Sequence, residues 1–216
     1  MPLWTMWTHL LETALGFLGA HLGLSEAAAI IALTLMARTA LMPVSLTAAY
    51  KAQKNKEAME RIKPELEKLR EKLKDNPTEL ATQTMALYRQ HGITFLDKVS
   101  VLNMGSQGLF GLGIFQVLKR MVFSSRFLWI PNLARPNLAL TILVGALMLL
   151  GTALMPGATG NASMLLMIGI PVVISVIAVA ALPSALGLYW ATSNAVTVVQ
   201  ALALRGLLAR RRSLTA

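Results

Sequence analysis

Five apolar stretches, at 27–46, 101–118, 137–155, 164–182 and 184–204, set the rhythm of the chain. A helix needs about 20 mostly apolar residues to cross a bilayer, so each stretch predicts a membrane span. The segment 3–22 is also apolar, but His9, Glu12 and His21 interrupt it. Trp4 and Trp7 stand near its start, where aromatic anchors at a membrane surface belong. It predicts an amphipathic helix lying in the interface. An uncleaved signal sequence is the competing reading, and the lack of a preceding basic residue argues against it.

Residues 47–94 break the apolar pattern, with ten Lys/Arg and seven Asp/Glu. Met59, Ile62, Leu66, Leu69 and Leu73 recur at steps of three and four, a narrow helical stripe. Asp75-Asn76-Pro77 predicts a turn: Asn76 as N-cap, Pro77 at the first helical position and Glu79 closing a capping box. The second helix should run over about 77–91 and stop at Gly92. The segment therefore predicts an antiparallel helical hairpin in water, kinked at Pro64.

Composition agrees with a membrane protein. The 216 residues are 55% hydrophobic and 14% charged, against about 25% charged in soluble domains. Zero cysteines exclude disulfides, thiolate metal sites and cysteine nucleophiles. The formal net charge of +10 suits anionic lipid headgroups or RNA as neighbours. Orientation follows from where the basic residues fall. The hairpin holds ten and the segment 205–216 four, whereas 119–136 holds Lys119, Arg120, Arg126 and Arg135. The positive-inside rule then predicts the N-terminus outside and the C-terminus in the cytoplasm.

The predicted organisation is an extracytoplasmic N-terminus (1–25), a first span (26–46), a cytoplasmic hairpin (47–94) and a second span (95–118). An outer loop (119–136), a third span (137–155), a cytoplasmic loop (156–163), a fourth span (164–182) and a fifth (184–204) follow. A basic cytoplasmic tail (205–216) ends it.

Polar side chains are distributed unevenly among the spans. The third and fourth hold little beyond Thr141, Thr152 and Ser175. Arg38 lies near the middle of the first span, where an arginine costs about 2.5–3.5 kcal/mol on insertion scales. The apolar stretches offer no carboxylate except Glu26 at one end, so the guanidinium must face water or several hydrogen-bond acceptors. Thr34 is one turn away on the same face, as Asn103 is to Gln107. On the fifth span, Trp190, Ser193, Asn194 and Thr197 fall on one side. These positions predict a water-filled cavity lined by spans one, two and five, with Arg38 as its fixed charge. Gly105, Gly108, Gly111 and Gly113 predict close helix packing of the second span.

Catalytic chemistry is not expected, and neither is a cofactor or metal. None of the three histidines lies in a span, no metal-ligand spacing occurs, and no phosphate-binding glycine loop is present. Ser106 has no base for an intramembrane protease.

Several motifs then fall in order. Thr34-Leu35-Met36-Ala37-Arg38, Leu41-Met42-Pro43-Val44-Ser45, Ile62-Lys63-Pro64-Glu65 and Met85-Ala86-Leu87-Tyr88-Arg89 come first. Phe127-Leu128-Trp129-Ile130-Pro131-Asn132-Leu133, Pro183-Ser184-Ala185-Leu186-Gly187-Leu188-Tyr189-Trp190, Ser193-Asn194 and Arg205-Gly206-Leu207 follow. Over about residues 3–212 the chain resembles the YidC/Oxa/Alb family of membrane-protein insertases, in a compact bacterial form without a large extracytoplasmic domain. The resemblance implies an all-α polytopic fold: five transmembrane helices around a hydrophilic groove, an N-terminal amphipathic helix and a cytoplasmic hairpin. It implies insertion and chaperoning of nascent membrane proteins at the bacterial inner membrane, without an enzymatic step. Arg38 would receive the hydrophilic segment of the substrate, and Thr34 and Trp190 would touch it. Asn103, Gln107, Ser193, Asn194 and Thr197 complete the expected groove. Arg205, Arg210, Arg211 and Arg212 would contact the ribosome or lipid headgroups. The signal recognition particle pathway and the Sec translocon are further implied partners; DNA is not. Gly151 and Ala185 depart from the glutamine and glycine common in the family, and 92–98 from its proline- and glycine-rich opening of span two.

Two other readings use the same residues. A small channel or transporter would call for an internal repeat or a second intramembrane charge, and neither is visible. A ribosome- or translocon-docking scaffold would rest on the basic tail alone.

Overall fold

The computed structural model describes residues 2–94, 97–155 and 162–215, and the side chains of all these except 162–168, 211, 212, 214 and 215. Most of the expected loop 156–163 thus lies outside the described residues, as do Phe95 and Leu96. Among the described residues the protein is all-helical, with seven helices and one isolated bridge between Phe127 and Ile130. The helices are α1 (Pro2–Leu22), α2 (Glu26–Lys72), α3 (Pro77–Gln90), α4 (Lys98–Arg120), α5 (Leu138–Leu154), α6 (Ala162–Ala181) and α7 (Ser184–Thr215). Two of them, α2 and α4, are long and apolar enough to cross a membrane. α5 and the apolar part of α6 (Gly169–Ala181) are shorter. α7 is long, but Ser193, Asn194, Thr197 and Gln200 dilute its apolar run.

Span one and the first hairpin helix, expected as separate elements, form one helix of 47 residues. Pro43 and Pro64 both lie inside it without ending it. The chain nevertheless divides into two compact units, Met1–Pro43 with Met104–Ala216, and Val44–Asn103.

In the first unit, the apolar core gathers around one set of helix ends. Ile30 and Ala27 come from the start of α2, Ile114 and Leu118 from the end of α4, Leu140 and Val144 from the start of α5, and Leu186 from the start of α7. The connection 121–137 closes over them with Phe123, Ile130 and Leu133, which are 0–5% exposed. Its polar groups are answered locally. Glu26 Oε2 accepts from both the Ser125 amide (3.2 Å) and the Ser125 hydroxyl (2.6 Å). Ser184 at the start of α7 donates its hydroxyl to the Arg135 carbonyl at 2.6 Å, and the Ala185 amide reaches Leu133 O at 3.1 Å. α5 packs against both α6 and α7.

α1 covers the helix expected over 3–22. It packs into this core through Leu11, Leu15 and Leu18. Trp4 Nε1 donates to Gln116 Oε1 at 2.6 Å, and Trp7 Nε1 to the Leu109 carbonyl at 3.0 Å. The two indoles are therefore helix-to-helix donors rather than free anchors. A buried indole needs such a partner, and Gln116 on α4 supplies one. The opposite face, with Leu3, Met6, Leu10 and Phe17, is exposed and apolar. Of the four glycines of span two, Gly111 and Gly113 permit close approach, whereas nothing lies within 4 Å of a side chain added at Gly105 or Gly108. A Cβ on Gly113 would collide with the Trp7 ring and lie 2.7 Å from Leu11 Cδ1.

The second unit contains residues 44–72 of α2, then α3 and the segment leading into α4. Asn76 caps α3 as its sequence predicts: its side chain accepts from the Glu79 amide, with Pro77 at the first position. Gly92, at φ +66°, ends the turn after α3. The expected stripe runs down α2, and Ile62 is its buried member. Lys51 Nζ donates to Asp97 Oδ1 at 2.7 Å. Asp97 immediately precedes α4 and caps it through the Val99 amide (3.0 Å) and the Ser100 hydroxyl (2.7 Å). The hydrogen bond from Lys51, then that from Ser100, holds the Asp97 carboxyl well below the usual carboxylate range.

Candidate functional site

Arg38 lies two turns beyond Ile30 on α2, where the apolar core gives way to polar side chains. Its Nε donates to Ser193 Oγ on α7 at 2.6 Å. Its Nη1 donates to Gln107 Oε1 on α4. One guanidinium thus ties together three helices. The fork geometry of arginine permits this, because its donors diverge in one plane. Tyr189 joins the cluster from the turn of α7 before Ser193, with which it shares a hydrogen bond. Gly111 leaves room for it: a Cβ there would lie 3.1 Å from the Tyr189 hydroxyl.

Ser193 and Gln107, the acceptors of Arg38, are neutral. The ion pairs Lys51–Asp97 and Glu65–His91 both lie away from Arg38. The first unit therefore encloses a half-buried positive charge with hydrogen-bond partners but, among the described residues, no counter-ion. Neutral acceptors orient a guanidinium without cancelling its field. A carboxylate adds Coulombic attraction and can accept two guanidinium hydrogens at once, so an acidic group brought to Arg38 can compete with Gln107 and Ser193.

The remaining expected groove residues are placed as follows. Trp190 is half-buried and, with Tyr189, Leu186, Gly108, Gly111, Leu112 and Phe115, lines a cleft of about 360 Å³ between α4 and α7. Asn194 donates to the Trp190 carbonyl at 2.8 Å, and Thr197 to the Ser193 carbonyl at 3.1 Å. Both spend a donor on their own helix. Thr34 is fully buried, and its hydroxyl donates to Ile30 O at 2.7 Å. Asn103 belongs to the second unit and accepts from Ser45 at 2.8 Å.

In the basic tail, Arg205 has a partner within the protein. Arg205 donates from Nη2 to the Ala153 carbonyl at 3.0 Å. It satisfies one of the carbonyls that the end of α5 leaves open. Arg205 thus links α7 to α5 while its side chain remains exposed. Arg210 is exposed, and the side chains of Arg211 and Arg212 lie outside the described residues. A larger groove of about 940 Å³ runs between α1 and α2, but its lining is apolar, with Met6, Leu10, Phe17 and Met36 among it. It holds none of the polar cluster and suits contact with lipid chains.

Comparison with known proteins agrees with this architecture. A family model described as 60Kd inner membrane protein matches residues 17–210. Membrane protein insertase YidC of Fusobacterium nucleatum is 33% identical over 175 residues, which is 79% of this chain and 82% of that protein. The protein of the same name from Clostridium perfringens is 28% identical over 218 residues, 92% of this chain and 88% of that one. The Helicobacter pylori protein of that name is 28% identical over 87% of this chain, which spans 34% of its length. With nearly the whole chain matched, it belongs to the YidC/Oxa/Alb membrane-protein insertase family of inner membrane proteins.

Proposed function

We propose that this chain is a membrane-protein insertase and chaperone whose hydrophilic groove is centred on Arg38. The observation that carries the reading is the half-buried guanidinium held by Gln107 and Ser193 with, among the described residues, no carboxylate paired to it. In this reading α2, α4, α5, α6 and α7 are the five spans. The N-terminus lies outside, and the hairpin and tail lie in the cytoplasm. The core under loop 121–137 closes the outer end.

The physics favours such a device. A polar segment crossing about 30 Å of hydrocarbon leaves backbone groups unsatisfied, at several kcal/mol each. A polar, hydrated recess part-way across shortens that path. Arg38 attracts an acidic or polar tail and offers it hydrogen bonds. The apolar segment of the substrate then moves sideways into lipid, past Trp190 on α7, and its burial drives the step. No covalent bond forms or breaks, and no nucleotide is consumed. The substrates are nascent membrane proteins. The ribosome, the signal recognition particle pathway and the Sec translocon are proposed cytoplasmic and membrane partners, met through the hairpin and through Arg210 with Arg211 and Arg212.

Rescue of a bacterial strain depleted of its own insertase tests the reading. The wild-type chain should restore growth and Arg38→Ala should not. Rescue by both would remove Arg38 from the mechanism. Failure of the wild type, despite confirmed expression in the membrane, would overturn the insertase function.

A further inference from the structure

Gln200 lies on α7 seven residues after Ser193, almost directly in line on the helix and about 10 Å further along it. It is only 7% exposed. Among the described residues its Nε2 has no hydrogen-bond partner. Buried side-chain amides are nearly always satisfied, and one that is not carries its full desolvation penalty. A leucine of similar volume would fill the position without that cost. The neighbouring levels of α7 are occupied: Ser193 accepts from Arg38, Thr197 donates to Ser193 O, and Arg205 holds Ala153 O. Gln200 is the open donor in that series.

We propose that Gln200 is a second hydrogen-bonding station for the polar segment of the inserting chain, taking a peptide carbonyl or side-chain oxygen on its Nε2. This rests on the insertase reading and deepens it. α7 begins under the closed outer loop and passes Arg38 before it reaches Gln200. In the proposed topology Gln200 therefore stands on the cytoplasmic side of Arg38. A tail entering from the cytoplasm meets the amide first and the guanidinium second. The amide is uncharged, so it serves neutral polar tails as well as acidic ones, and it hands the segment on without holding it as an ion pair would.

The test uses the full chain reconstituted in vesicles with two reporters that share one apolar segment. One carries a long polar, uncharged tail to be translocated, and the other a tail of two or three residues. Gln200→Leu should slow insertion of the long-tailed reporter about fivefold or more, the factor associated with one lost hydrogen bond. It should leave the short-tailed reporter unchanged, and its thermal midpoint should equal or exceed that of the wild type. Gln200→Asn, which keeps the amide, should recover part of the rate. Equal rates for the long-tailed reporter with wild type and Gln200→Leu would overturn the proposal. So would a parallel loss with both reporters, or a lowered midpoint, since each marks a structural role or a site for water alone. A wild-type chain that inserts neither reporter would instead overturn the insertase reading, a result separable from the others.

Discussion

Loop 121–137 and the compact unit Val44–Asn103, which carries the cytoplasmic hairpin of the proposed topology, are built in opposite ways. The loop buries Phe123, Ile130 and Leu133, its Ser125 donates to Glu26, and its Arg135 and Leu133 carbonyls accept from Ser184 and Ala185 of α7. The hairpin exposes most of its charges to solvent, and α3 has no buried residue. Its ties include Lys51–Asp97, Glu65–His91, Ser45–Asn103, Asn55 to the Thr94 carbonyl, and the packing of Ile62 and Ile93. Local stability follows density of buried contacts. The loop should therefore open rarely and the hairpin often. This is the asymmetry that a groove closed outside and accessible from the cytoplasm requires. In the proposed topology Arg38 lies on the inner side of the closed core.

The largest effect should come from removing the charge that the comparison isolates. Arg38→Ala should lower insertion of a polar-tailed reporter by about tenfold or more, the scale of a lost hydrogen bond to a charged group. Arg38→Lys should recover only part of it, because one ammonium lacks the planar fork that reaches Gln107 and Ser193 together. Measured insertion rates in vesicles check both.

Next in size is the seam that joins α1 to the closed core. Gly113→Val places a side chain against Trp7 and Leu11 and should destabilise by about 1–3 kcal/mol, as overpacking does. A lowered thermal midpoint, with loss of the fluorescence signature of a buried indole, reports it. An unchanged midpoint would mean that α1 is not held as described.

Glu26→Gln should loosen the outer loop by about 1–2 kcal/mol, since a neutral amide is a weaker acceptor for the two Ser125 donors than a carboxylate. Hydrogen exchange over 121–136 should rise while that of the hairpin is unchanged. If both regions respond alike, the two are not independent and the comparison fails.

The smallest effect concerns Asp97. Its folded-state pKa lies below the unfolded value. The stabilisation it gives is therefore fully present above the unfolded value, near pH 4, and is lost as pH falls through the lower folded value. Amide exchange at the start of α4 should rise only at the acid end. Asp97→Asn should raise it already at neutral pH and flatten that acid dependence.

Much of this was readable from residue order. Asn76, Pro77, Glu79 and Gly92 specify a turn by local chemistry, and the structure has that turn. Arg38, Gln107 and Ser193 could be grouped because a charge deep in an apolar run demands acceptors. Periodicity, however, gives the face of a helix and not its neighbour. Trp4 and Trp7 suit a lipid interface as well as they suit a carbonyl or amide on α4. Arg205 suits a headgroup as well as the open end of α5. Thr34 shares a face with Arg38, yet helix packing buries it and its own backbone takes its hydroxyl. Gln200 was visible as a polar residue in an apolar run, but only its surroundings distinguish an unpartnered amide from a satisfied one.

The central claim is that Arg38 acts by its charge on the polar tail of a substrate. Its most direct test is protease protection of reporters carrying zero, two or four acidic residues in the translocated tail, inserted by the wild type and by Arg38→Ala. The account predicts that the deficit of the variant grows with each added carboxylate and shrinks as salt is raised. A deficit that is the same for all three tails would contradict it.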